Sequence, residues 1–106
     1  MESPSVDTEP VVLLKVEARY PDIALRAGLE CTVFVKAWLN REGVVKKAVV
    51  LKSDAEIFNT SALDAAMQWK FKAAMLHGQP VGAWISIPFR FRLINEKENP
   101  AAEVHR

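Results

Sequence analysis

The sequence is poor in cysteine, histidine and glycine, with one, two and four residues respectively, and it has no long apolar run. A single cysteine rules out an internal disulfide and leaves both reducing and oxidising compartments open. No apolar stretch approaches the ~20 residues that span a membrane, and the N-terminus lacks the apolar core of a signal peptide. The chain is therefore expected to be either a cytoplasmic protein or an excised domain whose targeting segment is missing.

An excess of charge of either sign is also absent. The 14 lysines and arginines stand against 13 aspartates and glutamates, spread along the sequence, for a formal net charge of +1. This balance argues against nucleic acid as a partner and against a strong attraction to anionic lipid. At 106 residues, half of them apolar, the chain has the length of one domain that folds alone.

Residues suited to catalysis or metal binding do not form a site. Cys31 lies on the apolar side of a predicted strand, where a thiol behaves as a small core side chain. His77 lies in a turn without an acidic neighbour, His105 lies near the end of the chain, and neither has the spacing of a zinc ligand. Asp54 and Glu56 are two residues apart in a polar connection, and the four glycines share no phosphate-binding motif. We therefore expect no catalytic residue, no metal, no cofactor and no enzymatic activity.

The organising stretch covers residues 58–93, and its pattern predicts one helix followed by one long strand. Apolar residues recur at helical spacing at Phe58, Ala62, Ala65, Ala66 and Trp69. Asn59 is expected to cap the helix N-terminus with its side chain. After Gly78 and Pro80 interrupt the pattern, apolar and other residues alternate from Ala83 to Leu93, as in a strand with one buried face.

The first half of the chain predicts a short helix and a hairpin. Pro21 suits the first position of the helix, and Gly28 suits a left-handed cap just after it. Residues 30–39 alternate strictly, and residues 44–51 return as a second strand after a turn that ends at Gly43. The second strand changes phase, so a bulge near Lys46 and Lys47 is expected, which lets the flanking apolar residues face inward.

Together these elements predict an α+β fold, with two helices packed on one face of a three-stranded antiparallel sheet of strand order 2-1-3. A hairpin followed by a right-handed crossover helix places the last strand beside the first. Pro88 independently supports an edge position for that strand, because proline cannot donate to a strand ladder. Residues 1–10 are expected to be a disordered linker end, residues 11–94 the folded domain and residues 95–106 a polar mobile tail. The ambiguous phase of residues 11–16 leaves a further strand there open.

Three aromatic residues, Phe34, Trp38 and Trp84, alternate onto the sheet face opposite the helices. On one interpretation they form an exposed contact surface for a partner or for a second copy of the chain. On the other they are partly buried under Lys36, Lys46 and the N-terminal segment. The sequence favours neither interpretation.

In the order of its motifs, the chain resembles the C-terminal domain of the TonB energy-transducer family over about residues 20–93. The resemblance is carried by Gly43, by Trp84 and by a set of short motifs: Tyr20-Pro21, Val50 with Ser53, Phe58-Asn59, Trp69-Lys70-Phe71, Gly78-Gln79-Pro80-Val81 and Ile87-Pro88-Phe89-Arg90-Phe91-Arg92-Leu93. Each motif alone is weak, but in this order and spacing the set is specific. The family's fold agrees with the one predicted from the residues.

The resemblance implies a periplasmic domain of an energy transducer that is anchored to the inner membrane in its full-length form. Proton-driven inner-membrane motor proteins, contacted through a missing N-terminal region, would supply energy to outer-membrane transporters of siderophores, cobalamin or similar nutrients. The last strand would bind a short transporter segment, the TonB box, as an added β-strand. The expected partner-binding residues are Pro88, Phe89, Arg90, Phe91 and Arg92, with a second contact at Arg19, Tyr20, Phe34, Trp38 and Trp84.

Two alternatives to this transport function stay open. One is a strand-paired homodimer with a structural role as an interaction module. The other is the TonB-like tail of a larger signalling or peptidase protein. The transport hypothesis and the homodimer hypothesis both place the binding surface on a strand edge. The residues alone therefore do not distinguish the two hypotheses.

Because Cys31 has an apolar strand position, its thiol should react slowly with a thiol reagent in the native chain and quickly once the chain unfolds. Labelling followed by mass spectrometry, with and without denaturant, measures the two rates. Fast labelling of the native chain, or loss of a measurable activity in Cys31→Ala, would contradict a purely structural role.

Overall fold

The computed structural model describes residues 6–93, so the expected tail over residues 95–106 lies outside the described part of the chain. In chain order the elements are β1 (Val11–Leu14), α1 (Asp22–Ala27), β2 (Cys31–Leu39), β3 (Val45–Ser53), a 3₁₀ turn (Glu56–Phe58), α2 (Asn59–Gln68), β4 (Lys70–Lys72), β5 (Ala74–Leu76), β6 (Gln79–Val81) and β7 (Ala83–Phe91). No helix within residues 6–93 is long and apolar enough to cross a membrane.

The three nine-residue strands β2, β3 and β7 form the central antiparallel sheet, in the order β3–β2–β7. This confirms the predicted arrangement, in which the first arm of the hairpin is central and the last strand lies at an edge. The three predicted strands are β2, β3 and β7, so the predicted order 2-1-3 corresponds to β3–β2–β7. The labels differ because four short strands, which were not predicted as pairs, form two further antiparallel pairs, β1–β4 and β5–β6. Strands of three or four residues are too short to show a periodic pattern in the sequence.

Two irregularities interrupt the pairing of β3 with β2. The pairing skips Lys46 and, further along, Leu51. The first irregularity is the bulge predicted near Lys46 and Lys47: it keeps Val45 buried while both lysines remain exposed. The ammonium groups thereby stay in water, because burying an unpaired charge in the core is costly.

The helices cover one face of the central sheet, and the core lies between the two layers. Alternate residues of β2 and β7 point into this core, as the sequence pattern predicts. The alanines of α2 let that helix approach the sheet closely, so aromatic rings fill the remaining space. The core cluster contains Ala24, Cys31, Val33, Val35, Ala37, Leu39, Val45, Phe58, Ala62, Ala65, Ala66, Trp69, Phe71, Ile87, Phe89 and Phe91.

The start of α2 differs from the prediction. Asn59 is the first residue of the helix itself, with φ −63° and ψ −45°, and its side-chain oxygen is buried without a hydrogen-bond partner in the described chain. The preceding 3₁₀ turn places Phe58 fully in the core. The predicted N-cap was therefore wrong, because burial of a phenylalanine side chain outweighs a cap that contributes about 1 kcal/mol.

The N-terminal segment also differs from the prediction. Asp7 and Thr8 fall in the stretch expected to be disordered, yet their backbone amides donate to the carbonyl of Met75 at 2.8 and 3.2 Å. The Asp7 carboxylate accepts a further hydrogen bond from the amide of His77, at 2.6 Å. The segment left open by the sequence forms β1, which pairs with β4. Pairing with residues so distant in the chain leaves no local signal.

Residues in the left-handed backbone conformation follow the end of α1 and form the turn of the small β5–β6 hairpin. Gly28 follows α1 with φ 71°, as predicted, although the helix begins at Asp22 rather than at Pro21. His77 and Gly78 have φ values of 53° and 75°, which are those of a type I′ hairpin turn. The sequence pattern indicated a break at this point and missed the hairpin.

Gly43 ends the turn between β2 and β3 with φ 79°, and a side chain there would collide with the carbonyl group of Phe71. Gly43→Ala is therefore expected to lower the free energy of unfolding by about 3 kcal/mol, measured by urea denaturation. Gly78→Ala is the matched control, because Gly78 has a φ of 75° but no atom within 4 Å of the added carbon. It should lose only about 1 kcal/mol from backbone strain. Equal losses in the two variants would contradict the collision.

Candidate functional site

Among residues 6–93, strand β7 has a neighbour in the central sheet on one side only. It pairs with β2 through nine consecutive residue pairs without a bulge, beginning at Cys31 and Phe91. Because the pairing is unbroken, the main-chain direction of one residue fixes the direction of all the others. The predicted partner-binding residues Pro88, Phe89, Arg90 and Phe91 lie in this strand, and Arg92 follows it directly. The side chains of Phe89 and Phe91 are buried in the core, whereas Pro88, Arg90 and Arg92 are exposed.

Pro88 supplies that direction. It lies opposite Phe34 and has no N–H, so it fits the ladder positions whose main-chain groups point away from the neighbouring strand. Because main-chain direction alternates along a strand, Ser86 and Arg90 are expected to present their N–H and C=O groups to the free edge. Phe89, between them, points its groups at β2. The edge therefore offers the main-chain groups of every second residue to a partner.

A groove of about 400 Å³ lies at this edge. One wall is formed by β7, and another by residues 15–18, which belong to neither a helix nor a strand. A groove with a strand edge as one wall suits an extended peptide that adds to β7 as a further strand. The residues lining the groove are Lys15, Val16, Glu17, Ala18, Tyr20, Trp69, Pro88, Phe89, Arg90, Phe91 and Arg92.

Trp69 connects the two walls of the groove. Its indole N–H donates to the carbonyl of Val16 at 2.7 Å, and its ring packs edge-on against Phe89 of β7 with 5.6 Å between the ring centroids. The Lys15 ammonium lies 5.9 Å from the centroid of the same ring, which is within cation–π range. One buried side chain therefore fixes the spacing between the segment and the strand.

Tyr20 ties the groove to the core. Its hydroxyl donates to the carbonyl of Leu29, and its ring meets those of Phe58 and Phe91 edge-on, with 5.7 Å between centroids in each pair. Burial and, less strongly, the carboxylate of Glu30 raise the pKa of the phenol above its ordinary value of 10.0. The hydroxyl therefore stays neutral and remains a hydrogen-bond donor throughout the physiological pH range.

The other residues predicted as a second contact lie elsewhere. Arg19 borders a separate depression between the start of α1 and α2. Phe34, Trp38 and Trp84 lie on the sheet face away from the helices, which we call the open face. Of the second-contact set, the structure brings Tyr20 alone to the β7 groove.

The aromatic residues of the open face are partly buried and partly exposed, so they combine features of the two interpretations given above, an exposed contact surface and a covered one. Phe34 and Trp38 are half-buried, whereas Trp84 is 46% exposed. The ring centroids of Trp38 and Trp84 lie 5.5 Å apart, and the Lys36 ammonium lies 4.7 Å from the centroid of the Trp84 ring. Lys36 therefore covers part of the aromatic surface, but Trp84 still presents a large apolar area to solvent.

Sequence reasoning missed the wall of the groove formed by residues 15–18. The available signal was the alternation of Val16, Ala18 and Tyr20, all partly buried, with exposed residues between them. The bond that fixes this wall joins Trp69 to Val16 across 53 residues of sequence, so no local pattern reveals it. Within residues 6–93, no three histidine, cysteine or acidic side chains are grouped to hold a metal ion.

Known proteins resemble this chain in sequence. The profile of the family described as Gram-negative bacterial TonB protein C-terminal matches residues 16–93. Protein TonB of Vibrio cholerae is 42% identical over 89 residues, which cover 83% of this chain and 36% of that protein. Protein TonB of Xanthomonas campestris pv. campestris is 33% identical over 76 residues, which cover 71% of this chain and 34% of that protein. The chain therefore spans about a third of the length of the curated relatives it matches.

A solved structure resembles the chain in fold. It is the solution NMR structure of the Pseudomonas aeruginosa TonB C-terminal domain, with a TM-score of 0.69 and 23% sequence identity. The superposition covers 84% of this chain and 91% of that one. The α+β architecture predicted from the residues is thus that of a known domain.

Trp69→Phe keeps an aromatic ring in the core but removes the N–H that donates to Val16. The amides of residues 15–18 should then exchange hydrogen faster, and the free energy of unfolding should fall by about 1 kcal/mol, because the groove wall loses this bond. Hydrogen exchange followed by mass spectrometry makes the comparison. Trp84→Phe, on the open face, is the control and should leave residues 15–18 unchanged. Unchanged exchange in Trp69→Phe would show that other contacts hold the wall.

Proposed function

This chain belongs to the TonB C-terminal domain family, and from this premise we propose that the free edge of β7 binds the TonB box of an outer-membrane transporter by β-strand addition. In this proposal the chain is the periplasmic end of an energy transducer whose full-length form is anchored to the inner membrane. It conveys energy from the proton-motive force, through inner-membrane motor proteins, to the uptake of siderophores, cobalamin or similar nutrients.

The observation that carries this proposal is an unpaired strand edge inside a groove. An exposed edge ordinarily invites indiscriminate pairing, and proteins counter this with proline and charged residues along it. Pro88, Arg90 and Arg92 place both devices on the edge of β7. The wall of residues 15–18 lies beside this edge and restricts access to it further. The edge is thereby suited to one peptide rather than to another sheet.

Main-chain pairing sets the strength of this binding. Ser86 and Arg90 each offer an N–H and a C=O, and Pro88 offers a C=O alone. Up to five hydrogen bonds of roughly 0.5–1.5 kcal/mol each, together with apolar contact in the groove, are partly offset by the entropy of ordering the peptide. The expected affinity is therefore weak, on the order of micromolar. Because main-chain groups are the same in every peptide, binding should tolerate many side-chain changes.

A strand-paired homodimer is the second candidate, and β1 is the observation that favours it. Within the described part of the chain this strand pairs on one side only, and its residues Val11, Val12, Leu13 and Leu14 are all exposed. Exposed apolar edge strands are common sites of self-association. Sedimentation at several concentrations separates the candidates. A monomer at the concentrations of peptide binding fits the transporter proposal, whereas a stable dimer favours pairing between copies.

Arg90→Pro is expected to remove one N–H from the free edge of β7 while the pairing with β2 is kept. The fold should survive, measured by a circular-dichroism melt, and affinity for a synthetic TonB-box peptide should fall roughly tenfold, measured by fluorescence anisotropy. Arg90→Ala is the matched control, because it removes the guanidinium and keeps the N–H. It should retain most of the binding. If the alanine variant loses binding as completely as the proline variant, recognition depends on the guanidinium and strand addition at this edge is wrong.

A further inference from the structure

The three strands of the central sheet contain positively charged residues and no negatively charged ones. No aspartate or glutamate lies in β2, β3 or β7, and their lysines and arginines are Lys36, Lys46, Lys47, Lys52 and Arg90. The formal net charge of +1 for the whole chain hides this separation, because the acidic residues lie in other parts of the chain. The sheet is therefore locally basic although the chain is nearly neutral.

Four of these five cations share the open face with the aromatic residues. Residues directly opposite one another in an antiparallel pair point to the same face of a sheet. Each lateral row of the open face therefore carries one cation, and two rows also carry aromatic rings. The rows are Thr32 and Arg90; Lys52, Phe34 and Pro88; Val49, Lys36 and Ser86; and Lys47, Trp38 and Trp84.

The open face is accessible over most of its area. Both helices pack on the opposite face, whereas Lys47, Lys52 and Arg90 on this face are exposed. Val6, Glu9 and Pro10 border the end of the face that holds Trp38 and Trp84. Even there, Trp84 remains 46% exposed. The cations and the outer indole ring can thus contact a large flat partner at the same time.

We propose that the open face docks on an anionic lipid surface. A bilayer presents many negative headgroups in one plane, which matches a sheet face with a cation in each row. Tryptophan prefers the boundary between headgroups and hydrocarbon, where its apolar ring and its polar N–H are both satisfied. Trp84 is positioned for that role at one end of the face, and the cations extend away from it across the sheet.

An acidic peptide is a less suitable occupant of this face. Peptides that bind to sheets gain most of their affinity from unpaired main-chain groups. Strand β2, in the middle of the open face, pairs on both of its sides. The unpaired main-chain groups lie at the lateral edge of β7 instead. Lipid docking therefore uses side chains of the open face, whereas strand addition uses main-chain groups at the edge of β7. Arg90 contributes its side chain to the first and its main chain to the second, so the two are compatible.

Co-sedimentation of the chain with vesicles tests this proposal. One set of vesicles contains phosphatidylcholine alone, and the other contains phosphatidylcholine mixed with phosphatidylglycerol. The chain should bind the mixed vesicles and not the neutral ones. Binding should weaken as salt is added, because screening shortens the range of the attraction.

Charge reversal then locates the surface that binds. Lys47→Glu combined with Lys52→Glu should weaken binding to the mixed vesicles by at least roughly 25-fold, because each cation removed costs about fivefold and the two new carboxylates repel the headgroups. Lys70→Glu combined with Lys72→Glu is the matched control, because both lysines are exposed on β4, outside the central sheet, and the net charge changes equally. The control should lose far less binding. Trp84→Ala should weaken binding at every salt concentration, because its contact with lipid is not ionic.

Any of four results would overturn the proposal. Equal losses in the two double variants would show that binding follows the total charge rather than the open face. Equal binding to neutral and mixed vesicles, or binding to neither, would exclude recognition of anionic lipid. Binding of soluble polyglutamate without binding of vesicles would assign the face to an acidic protein segment. Circular-dichroism melts establish that each variant is folded. Binding of the unaltered chain to mixed vesicles, compared with its binding to neutral vesicles, tests the recognition of anionic lipid without any variant.

Discussion

The missing N–H of Pro88 is the constraint from which the geometry of the free β7 edge follows. Pro88 lies within nine consecutive pairs between β2 and β7, so its direction fixes which residues bond to β2 and which face outward. Outward-facing main-chain groups must be hydrated or bound by a partner, because an unpaired polar group that becomes buried is costly. A strand held in this way is a stable part of the sheet and still has unpaired groups to offer.

The same aromatic residues build the core and shape the groove. Trp69 packs on Phe89, and its N–H holds Val16, so the segment beside β7 is fixed from within the core. Tyr20 does the same from the other end of the segment, through Leu29 and the rings of Phe58 and Phe91. The position of the groove therefore depends on packing rather than on a flexible loop. This arrangement favours a preformed site, in which little of the binding free energy is lost to ordering the domain.

Local patterns predicted the parts of the fold that depend on neighbours in the sequence. The alternation of β2 and β7, the bulge at Lys46 and the edge position implied by Pro88 all follow from two-residue periodicity and backbone chemistry. The failures share a different cause. Asn59 entered the helix because Phe58 is buried, and Asp7 pairs with residues about 70 positions away, His77 among them. Contacts between distant residues leave no periodic trace. The alternation of Val16, Ala18 and Tyr20 therefore indicated partial burial but not that this segment lies beside β7, whereas the β7 side of the groove could be predicted.

The charge of the chain illustrates the same limit. The nearly equal numbers of acidic and basic residues argued against attraction to an anionic surface, yet the strands of the central sheet contain basic residues only. Only the pairing of strands shows that Lys47, Lys52 and Arg90 share one face with Trp84. A net charge describes the whole molecule, whereas recognition depends on individual faces.

The most direct test of this account is the hydrogen exchange of individual β7 amides, followed by NMR in the free chain and with a TonB-box peptide. In the free chain, the amides of Phe89 and Phe91 should exchange slowly because they bond to β2, and those of Ser86 and Arg90 should exchange fast. The peptide should slow exchange at Ser86 and Arg90 and leave the other two unchanged. Slow exchange at all four amides in the free chain would show that the edge is already paired, and would contradict the account.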